Sequence, residues 1–550
     1  MRRIVWSLGI ALCVLSLVNI GQELYGLEEK SCTAIIVGKD ASVDGSVMTT
    51  HTCDGWYDSR LFIIPGGKHE PGETVKVYKN RLNADNPNVV VEVVGEIPQV
   101  AETYTYFHIA YPFMNEHQVA IGESTFGGRP ELVNPNGMFY IEELEAIALQ
   151  RAKTAREAIR IMGELAEKYG YADWGECLTV VDPNEGWVFE IVGPGPLWAP
   201  DSGKPGAVWV ARRVPDDEVF VSANRSRIGE IDLSKPDWYM ASPNVYTLAQ
   251  EMGWYDPNAG KPFRFCDVYA PKESFYNSRR EWRVFDLVAP SRHFDPYARW
   301  YPFSVKPDRK LSVADLMAIN RDYYEGTEFD LTKGMAAGPF GTPDRYATPS
   351  KAGANWERAI SMFRCSYSFV SQSRNWLPDP IGGVLWFGLD APHATCYMPL
   401  YCGITKVPES LQVMNRFDFS RESAWWAFDF VENWANLAFC YMIQDIKAMQ
   451  QKFEGEFFAV QPAIEQAALT LYQRDPDLAR TFLTNYCNDV VNRVVEAWWK
   501  FADELVAKYN DGYIWQKMKG YPDWWLQAVG YTATTRLDLY KDIRYEDENK

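Results

Sequence analysis

Cys32, near the start of the chain, is the first residue whose type and position could do chemistry. It lies in the stretch SCTAIIVGKDASVDGSVMTTHTCDG, where β-prone runs at 34–37 and 47–50 flank a turn ending at Asp44-Gly45. This pattern predicts a β-hairpin whose first strand begins at Cys32. If the preceding chain were removed, the thiol would gain a base in its own α-amino group, whose ordinary pKa is about 7.7–8.0. That is the chemistry of an N-terminal nucleophile; the alternatives are a half-buried strand cysteine or a disulfide partner.

The residues before Cys32 have the layout of a secretory signal. Arg2 and Arg3 precede an almost unbroken apolar run at 4–20. We therefore expect residues 1–31 to be a leader that is removed on maturation, and the protein to be exported to the periplasm or the extracellular space. Because the run is short for a spanning helix, an uncleaved anchor is the less favoured alternative, and we expect membrane contact only through it.

Other polar residues follow predicted strands and could line a cleft. Asn224, in FVSANRSRIG, could donate its side-chain amide to the oxyanion formed at a scissile carbonyl, although Asn also suits turns. Glu123 and Thr125, with Ser124 between them, follow a short strand, and Glu123 could meet a substrate ammonium. Arg374 could pair with the carboxylate of a short peptide, an assignment that is based on charge type alone.

Composition narrows the class of protein. The 550 residues are 23% charged and 15% aromatic, which is typical of a globular chain with a large domain and a second unit. The net charge of -18 disfavours nucleic acid as a partner. No CxxC motif or His/Cys ligand spacing is apparent, so we expect no metal and no cofactor. The cysteines permit disulfides without assigning them, Cys396 and Cys402 being the nearest pair in sequence.

The order of elements predicts an α+β domain. Several β-prone runs precede two helices, the second opened by the capping box Thr154 to Glu157 and stopped at Gly170, and strands then resume. Residues 255–310 show no clear periodicity and are interpreted as irregular structure. We predict a domain over 32–415 and a helical region over 416–550, in which Asp475-Pro476 begins a helix. The predicted buried stripe of that helix is Leu483, Cys487, Val490, Val494, Trp498, Phe501 and Leu505.

Successive stretches of the chain resemble signatures of the bacterial dipeptidase family related to secernins, which belongs to the cysteine N-terminal nucleophile (Ntn) hydrolases. The resemblance covers most of residues 32–410, with the motifs in the right order. The matching stretches are SCTAIIVGKDASVDGSVMTTHTCD, MNEHQVAIGEST, YGYADWGECLTVVDPNEGWVFEIVG, VWVARRVPDDEVFVSANRSRIG and SFVSQSRNWLPDPIGGVLWFGLDAP.

This resemblance implies a fold and a reaction. The fold would be a four-layer αββα Ntn-hydrolase sandwich, here with a helical C-terminal extension. The reaction would be hydrolysis of the peptide bond of dipeptides, without a metal, by Cys32 through a thioester acyl-enzyme. Asp54 matches the position of an Asp that holds the α-amine in related amidases, so the resemblance assigns it that orienting role; its alternative is a turn carboxylate.

His51 departs from the pattern of the family. Many relatives have Arg three positions before the Asp, and His is only partly charged near neutrality, so a site role and a structural hydrogen bond are both open. Cys53, next to Asp54, has no route to a free terminus and ranks below Cys32 as the nucleophile.

Two other functions are compatible with these residues. One is an acyl-amide hydrolase of the penicillin-V or bile-salt acylase kind on the same scaffold. The other is an aromatic-rich cell-surface binding protein that has kept the fold and lost activity. The expected partners of the enzyme are short peptides, and a homo-oligomer is left open.

Overall fold

Two antiparallel sheets lie at the centre of the structure, a computed structural model that describes residues 31–272, 274–346 and 356–532. Of the leader predicted over residues 1–31, residues 1–30 lie outside the described residues, and Ser31 is the first residue of β1. The strands are β1 (Ser31–Val37), β2 (Val47–Asp54), β3 (Phe62–Ile64), β4 (Gly67–Lys68), β5 (Thr74–Lys79), β6 (Glu92–Pro98), β7 (Glu102–Thr103), β8 (Tyr106–His108), β9 (Met114–Asn115), β10 (Ala120–Gly127), β11 (Gly175–Val181), β12 (Gly186–Val192), β13 (Val208–Val214), β14 (Val219–Ser222), β15 (Tyr239–Ala241), β16 (Ser304–Val305), β17 (Cys365–Ser373), β18 (Val384–Leu389), β19 (Met398–Tyr401), β20 (Tyr513–Ile514) and β21 (Lys517–Met518).

The helices follow the same chain order. They are α1 (Ile141–Arg151), α2 (Ala155–Tyr169), α3 (Thr247–Glu251), α4 (Phe265–Tyr269), α5 (Phe275–Val288), α6 (Val313–Asn320), α7 (Asp379–Gly382), α8 (Ala424–Ala435), α9 (Phe439–Tyr472), α10 (Pro476–Tyr509) and α11 (Asp523–Ala528). Mixed helix and antiparallel sheet of this kind confirm the predicted α+β class.

The first sheet has the strand order β16-β14-β1-β2-β17-β18-β19. The predicted hairpin is confirmed: β1 pairs antiparallel with β2, with Cys32 opposite Cys53 and Ser31 opposite Asp54. Both strands are longer than their β-prone runs indicate, and every residue in them is buried. As a result, Asp54 is part of the sheet, rather than of a turn beyond it.

The second sheet, ordered β15-β13-β12-β11-β10-β9-β8-β3, packs on the first through contacts of β10 with β1 and β2. Gly122 allows a close approach at this point, since a Cβ there would lie 2.6 Å from the Thr50 carbonyl oxygen. The next residue of β10, Glu123, is thereby brought beside β2. The sheet-to-sheet contact therefore helps to build the site described below.

Helices contact both sheets. Helix α2 contacts β11, β12 and β13 of the second sheet, whereas α5 contacts β14 and α6 contacts β2 and β17 of the first. The predicted cap of α2 is confirmed, because Thr154 accepts a hydrogen bond from the Glu157 amide and the helix ends at Gly170, whose φ is 85°.

The prediction that residues 255–310 are irregular is wrong, since this segment contains α4 and α5. The 14-residue helix α5 begins after Ser274, whose side chain accepts a hydrogen bond from the Tyr276 amide. Its arginines, among them Arg279, Arg280 and Arg283, are buried. Buried arginines interrupt the apolar pattern of a helix that packs on a sheet, so the periodicity was not apparent in the sequence.

The C-terminal region is helical, as predicted. Asp475 caps α10, and the predicted stripe from Leu483 to Leu505 is buried throughout. Among the described helices, none combines the length and the apolar character needed to cross a membrane. The nine cysteines of the described residues are all free thiols, so Cys396 and Cys402 form no disulfide here.

Candidate active site

The backbone of Cys32 is held by groups from distant parts of the chain. Its amide nitrogen donates to Asn224 Oδ1 at 3.1 Å, and its carbonyl oxygen accepts from Arg280 Nη1 at 2.8 Å. Ser124 Oγ lies 3.4 Å from the same carbonyl oxygen. Strand β1, strand β10, the segment after β14 and helix α5 therefore converge on this one residue, which is fully buried.

Asn224 is the link between these elements. It has a φ of 60°, in the left-handed region that Asn tolerates better than most residues. Oδ1 also accepts from Arg280 Nη2 at 2.8 Å, and because both of its partners can only donate, the orientation of the amide is determined. The NH2 group donates to the Thr125 carbonyl oxygen at 2.8 Å. Asn224 therefore orients the Cys32 nitrogen in this structure, and its role as an oxyanion donor stays a prediction.

His51 and Glu123 lie beside the Cys32 thiol. His51 Nε2 is 3.4 Å from Glu123 Oε2, and Thr125 Oγ1 donates to Glu123 Oε1 at 2.8 Å. The rings of Tyr111 and Tyr367 present their edges to the imidazole at centroid distances of 5.8 and 5.9 Å. Both charged groups are therefore enclosed. Glu123 is paired with His51 in this structure, whereas the sequence suggested that it could meet a substrate ammonium.

The charges of this group follow from burial and proximity. Burial raises the pKa of the Cys32 thiol well above its ordinary value. Burial lowers the pKa of His51, but Cys32 and Glu123 outweigh it and raise that pKa to about 9. Burial raises the pKa of Glu123, yet the adjacent His51, above all, brings it down to about 2. The raised pKa of His51 and the lowered pKa of Glu123 favour an imidazolium and carboxylate pair at neutral pH, beside a thiol whose own pKa is raised.

Asp54 lies across the strand pair from Ser31, the residue directly before Cys32. Its carboxylate accepts hydrogen bonds from Arg358 and, at 3.1 Å, from Thr52 Oγ1. Its oxygen Oδ1 is buried without a hydrogen-bond donor among the described residues. The register places Asp54 opposite Ser31, so loss of Ser31 would leave this carboxylate next to the new terminus. The orienting role of Asp54 stays a prediction that this position favours.

Four further residues of this site, Tyr276, Arg280, Arg358 and Arg364, were not found from the sequence. Arg358 Nη2 donates to the Ser31 carbonyl oxygen at 3.1 Å, and Arg364 Nη2 donates to Ser31 Oγ at 3.2 Å. Burial raises the pKa of Tyr276, but the three arginines lower it to about 8. Arg280 lies in α5, and the other two arginines come just before β17. The only sequence signal was an arginine-rich run in a segment interpreted as irregular.

Comparison with known proteins places this geometry in a family. The model of peptidase family C69 matches residues 31–452, so its match begins directly before Cys32 and extends into α9. The chain belongs to peptidase family C69. This is a family of cysteine peptidases, so a thiol at the centre of the site agrees with the family.

Relatives named as dipeptidases match much of the chain. A probable dipeptidase of Latilactobacillus sakei is 28% identical over 420 residues, which are 71% of this chain and 80% of the relative. A probable dipeptidase of Salmonella dublin is 28% identical over 397 residues, which are 68% of this chain and 81% of the relative. Dipeptidase A of Lactobacillus helveticus is 25% identical over 410 residues, which are 72% of this chain and 80% of the relative.

Arg374 does not lie with the other predicted residues of this C69 peptidase. It follows Ser373, which pairs with Val47 at the end of β17 opposite to Asp54, roughly 25 Å along the strand. Its guanidinium donates to the carbonyl oxygens of Ile381 and Gly382 and pairs with Glu465 at 2.7 Å. These contacts attach the sheet to α9, and we leave Arg374 out of the proposed site.

Proposed function

We propose that this C69 peptidase is an exported dipeptidase that hydrolyses its substrates with Cys32 as an N-terminal nucleophile. The observation that carries the proposal is the position of the Cys32 nitrogen, which donates to Asn224 Oδ1 in a buried polar site beside the position of Asp54, while Arg280 donates to the same Asn224 oxygen. The family match and the names of the relatives support peptide hydrolysis and dipeptides as the substrate class.

The layering of the chain supports the same proposal. Two antiparallel sheets pack face to face, with α2 against one and α5 and α6 against the other. We propose that this is the αββα sandwich of the Ntn hydrolases, with α8, α9 and α10 as an added helical region. The nucleophile would then lie at the start of a central strand, where its backbone nitrogen can become a terminus without breaking the sheet.

The first half of the reaction uses the freed α-amine as a base. It takes the proton of the Cys32 thiol, and the thiolate attacks the carbonyl carbon of the peptide bond. The imidazolium of His51 stabilises the thiolate by charge. As the carbon–nitrogen bond breaks, the α-ammonium returns its proton to the leaving amine, and the acyl group remains on Sγ as a thioester.

The second half is hydrolysis of that thioester. The α-amine, held by Asn224 Oδ1 and adjacent to Asp54, removes a proton from water, which attacks the acyl carbon. The carbon–sulfur bond breaks, the product acid leaves and Sγ recovers its proton. No residue changes its oxidation state, and the same base serves both halves.

We expect Asp54→Ala and Asn224→Ala each to lower turnover by about 10²-fold or more, because each removes a group that holds the base of the reaction. Asp54→Asn keeps the shape and removes the charge, so it should also lower the amine pKa seen in the pH profile of kcat/KM. Circular dichroism checks the fold of each variant. A folded variant with normal turnover and an unchanged pH profile would remove that residue from the site.

The substrate class is tested by comparing dipeptides with acyl amides. A panel of free dipeptides, N-acylated dipeptides and penicillin-V-like amides is given to one preparation of processed enzyme. We expect the free dipeptides to have the highest kcat/KM. Preferred turnover of the acyl amides, together with loss of activity in Cys32→Ala, would assign the acylase reaction on the same scaffold instead.

We expect activity to survive EDTA and to be lost to iodoacetamide, since the reaction needs a thiolate and uses no Lewis acid. The measurement is dipeptide turnover after each treatment and removal of the reagent. A substrate analogue present during alkylation should slow the loss. Full inactivation by EDTA that added Zn²⁺ restores would contradict the thiol mechanism.

A further inference from the structure

Three soft or borderline metal-ligand side chains meet at the start of the β1–β2 hairpin. Cys32 and Cys53 are partners across the strand pair, and His51 lies two residues from Cys53, on the same face of β2. One ligand atom from each of Cys32, His51 and Cys53 lies within 4.8 Å of the other two, and all three residues are buried. The sequence predicted no His/Cys ligand set, because these ligands are neighbours across two strands, where no motif spacing reveals them.

The donor set and its surroundings fit a thiophilic divalent cation. Two thiolates and one imidazole are ligands that Zn²⁺ and its heavier analogue Cd²⁺ prefer. Both ring nitrogens of His51 are buried and lack a hydrogen-bond partner among the described residues. Glu123 lies 3.4 Å from His51 Nε2, the position of a carboxylate that supports a ligating imidazole. Within the described part of the chain, the imidazole therefore has no hydrogen bond to lose when it binds a metal, and a supporting carboxylate already lies beside it.

We propose that Cys32, His51 and Cys53 form a binding site for a Zn²⁺-like cation that reversibly inhibits the enzyme by occupying its nucleophile. Binding forms two metal–sulfur bonds and one metal–nitrogen bond, and it releases to solvent the protons of the two thiols and the proton on the ligating nitrogen of the His51 imidazolium, without an oxidant. The metal blocks hydrolysis because the sulfur that must attack the substrate has given its electron pair to the cation. The inhibition, although not the binding, rests on the proposed function.

Cys53 is the residue that distinguishes this site from ordinary metal sensitivity of a thiol enzyme. A single thiolate binds these cations weakly, whereas two thiolates that face each other across the strand pair can chelate one cation. The proposal therefore predicts that affinity depends on Cys53 as well as on Cys32. It also predicts that Cys440, which is exposed and lies at the start of α9, makes no difference.

The test uses Cd²⁺ as a probe and the full processed enzyme, reduced and freed of metal. Titration should show one equivalent bound with thiolate-to-metal charge-transfer absorbance. Cys53→Ser and Cys32→Ala should each weaken binding by more than about 10-fold, the lower limit of what loss of a supporting second-shell group alone costs. Cys440→Ser, the matched control, should bind as the parent does. Cys53→Ala avoids a buried hydroxyl if the serine variant folds poorly.

The inhibition is measured separately with Zn²⁺. The concentration for half-inhibition, taken within each variant relative to its own metal-free rate, should rise more than about 10-fold in Cys53→Ser, and EDTA should restore the rate. Equal Cd²⁺ affinity in Cys53→Ser and the parent, or binding without a thiolate band, would overturn the site. If the protein binds Cd²⁺ through its thiolates but hydrolyses no peptide, the metal site is supported and the proposed function is contradicted.

Discussion

Cys32→Ala is expected to abolish dipeptide hydrolysis, with turnover falling by more than about 10³-fold. The variant loses the thiol of the residue whose backbone nitrogen donates to Asn224 Oδ1, the oxygen that Arg280 also contacts. Cys53 is the other thiol of the site, but its nitrogen cannot become a terminal base, so we expect what remains to be whatever the site achieves by orienting water. The measurement is the single-turnover rate with a dipeptide substrate, together with intact mass after rapid acid quench to detect the acyl-enzyme on the parent.

Cys440→Ala is the matched control for this prediction, because it removes an exposed cysteine far along the chain in α9. It should keep the parent rate and the acyl-enzyme signal. Retention of substantial hydrolysis in a folded Cys32→Ala variant would exclude Cys32 as the nucleophile, whatever the identity of the substrate.

The second large effect concerns the terminus. We expect the active enzyme to begin at Cys32, and one extra residue before it to lower turnover by about 10²–10⁴-fold, the usual contribution of a positioned acid–base group. With Ser31 in place, the Cys32 nitrogen is an amide that donates to Asn224 Oδ1 and has no basicity to offer. N-terminal sequencing and intact mass of purified active enzyme provide the measurement.

A matched pair of chains sharpens this experiment. Two cleavable fusions are released to begin at Cys32 or at Ser31, and mass spectrometry after the assay verifies that each terminus has stayed intact. Full activity in a chain that still carries Glu28 to Ser31 would contradict the assignment. It would also mean that another group, with His51 the nearest, activates the thiol.

The sequence predicted those parts of the site that local patterns encode. The hairpin, Cys32 and the strand positions of His51 and Asp54 follow from β-propensity over a short stretch. The role of His51 did not follow, because its charge depends on Glu123, and Glu123 reaches it only where Gly122 lets two sheets approach closely. The orientation of Asn224 likewise depends on Arg280, whose helix was hidden by its own buried arginines.

Charge type alone did not show which arginines lie at which end of one strand pair. The sequence suggested Arg374 as a partner for a substrate carboxylate and did not single out Arg358. The register of β17 decides between them, since it places Arg374 at the far end of β2 and the segment before Cys365 beside Asp54. Register is a property of long-range pairing, and no local propensity reports it.

The pairing of β1 has a consequence for the order in which this protein can form. Its partner β14 lies nearly two hundred residues later, and β2 is covered on its other edge only by β17, after residue 365. Contacts this distant along the chain form slowly, because loop closure must precede them. During synthesis, Cys32 is therefore made long before the strands that enclose it. The candidate site is complete only when the chain has been translated as far as β17, which ends at Ser373, so a chain truncated before β17 lacks the site.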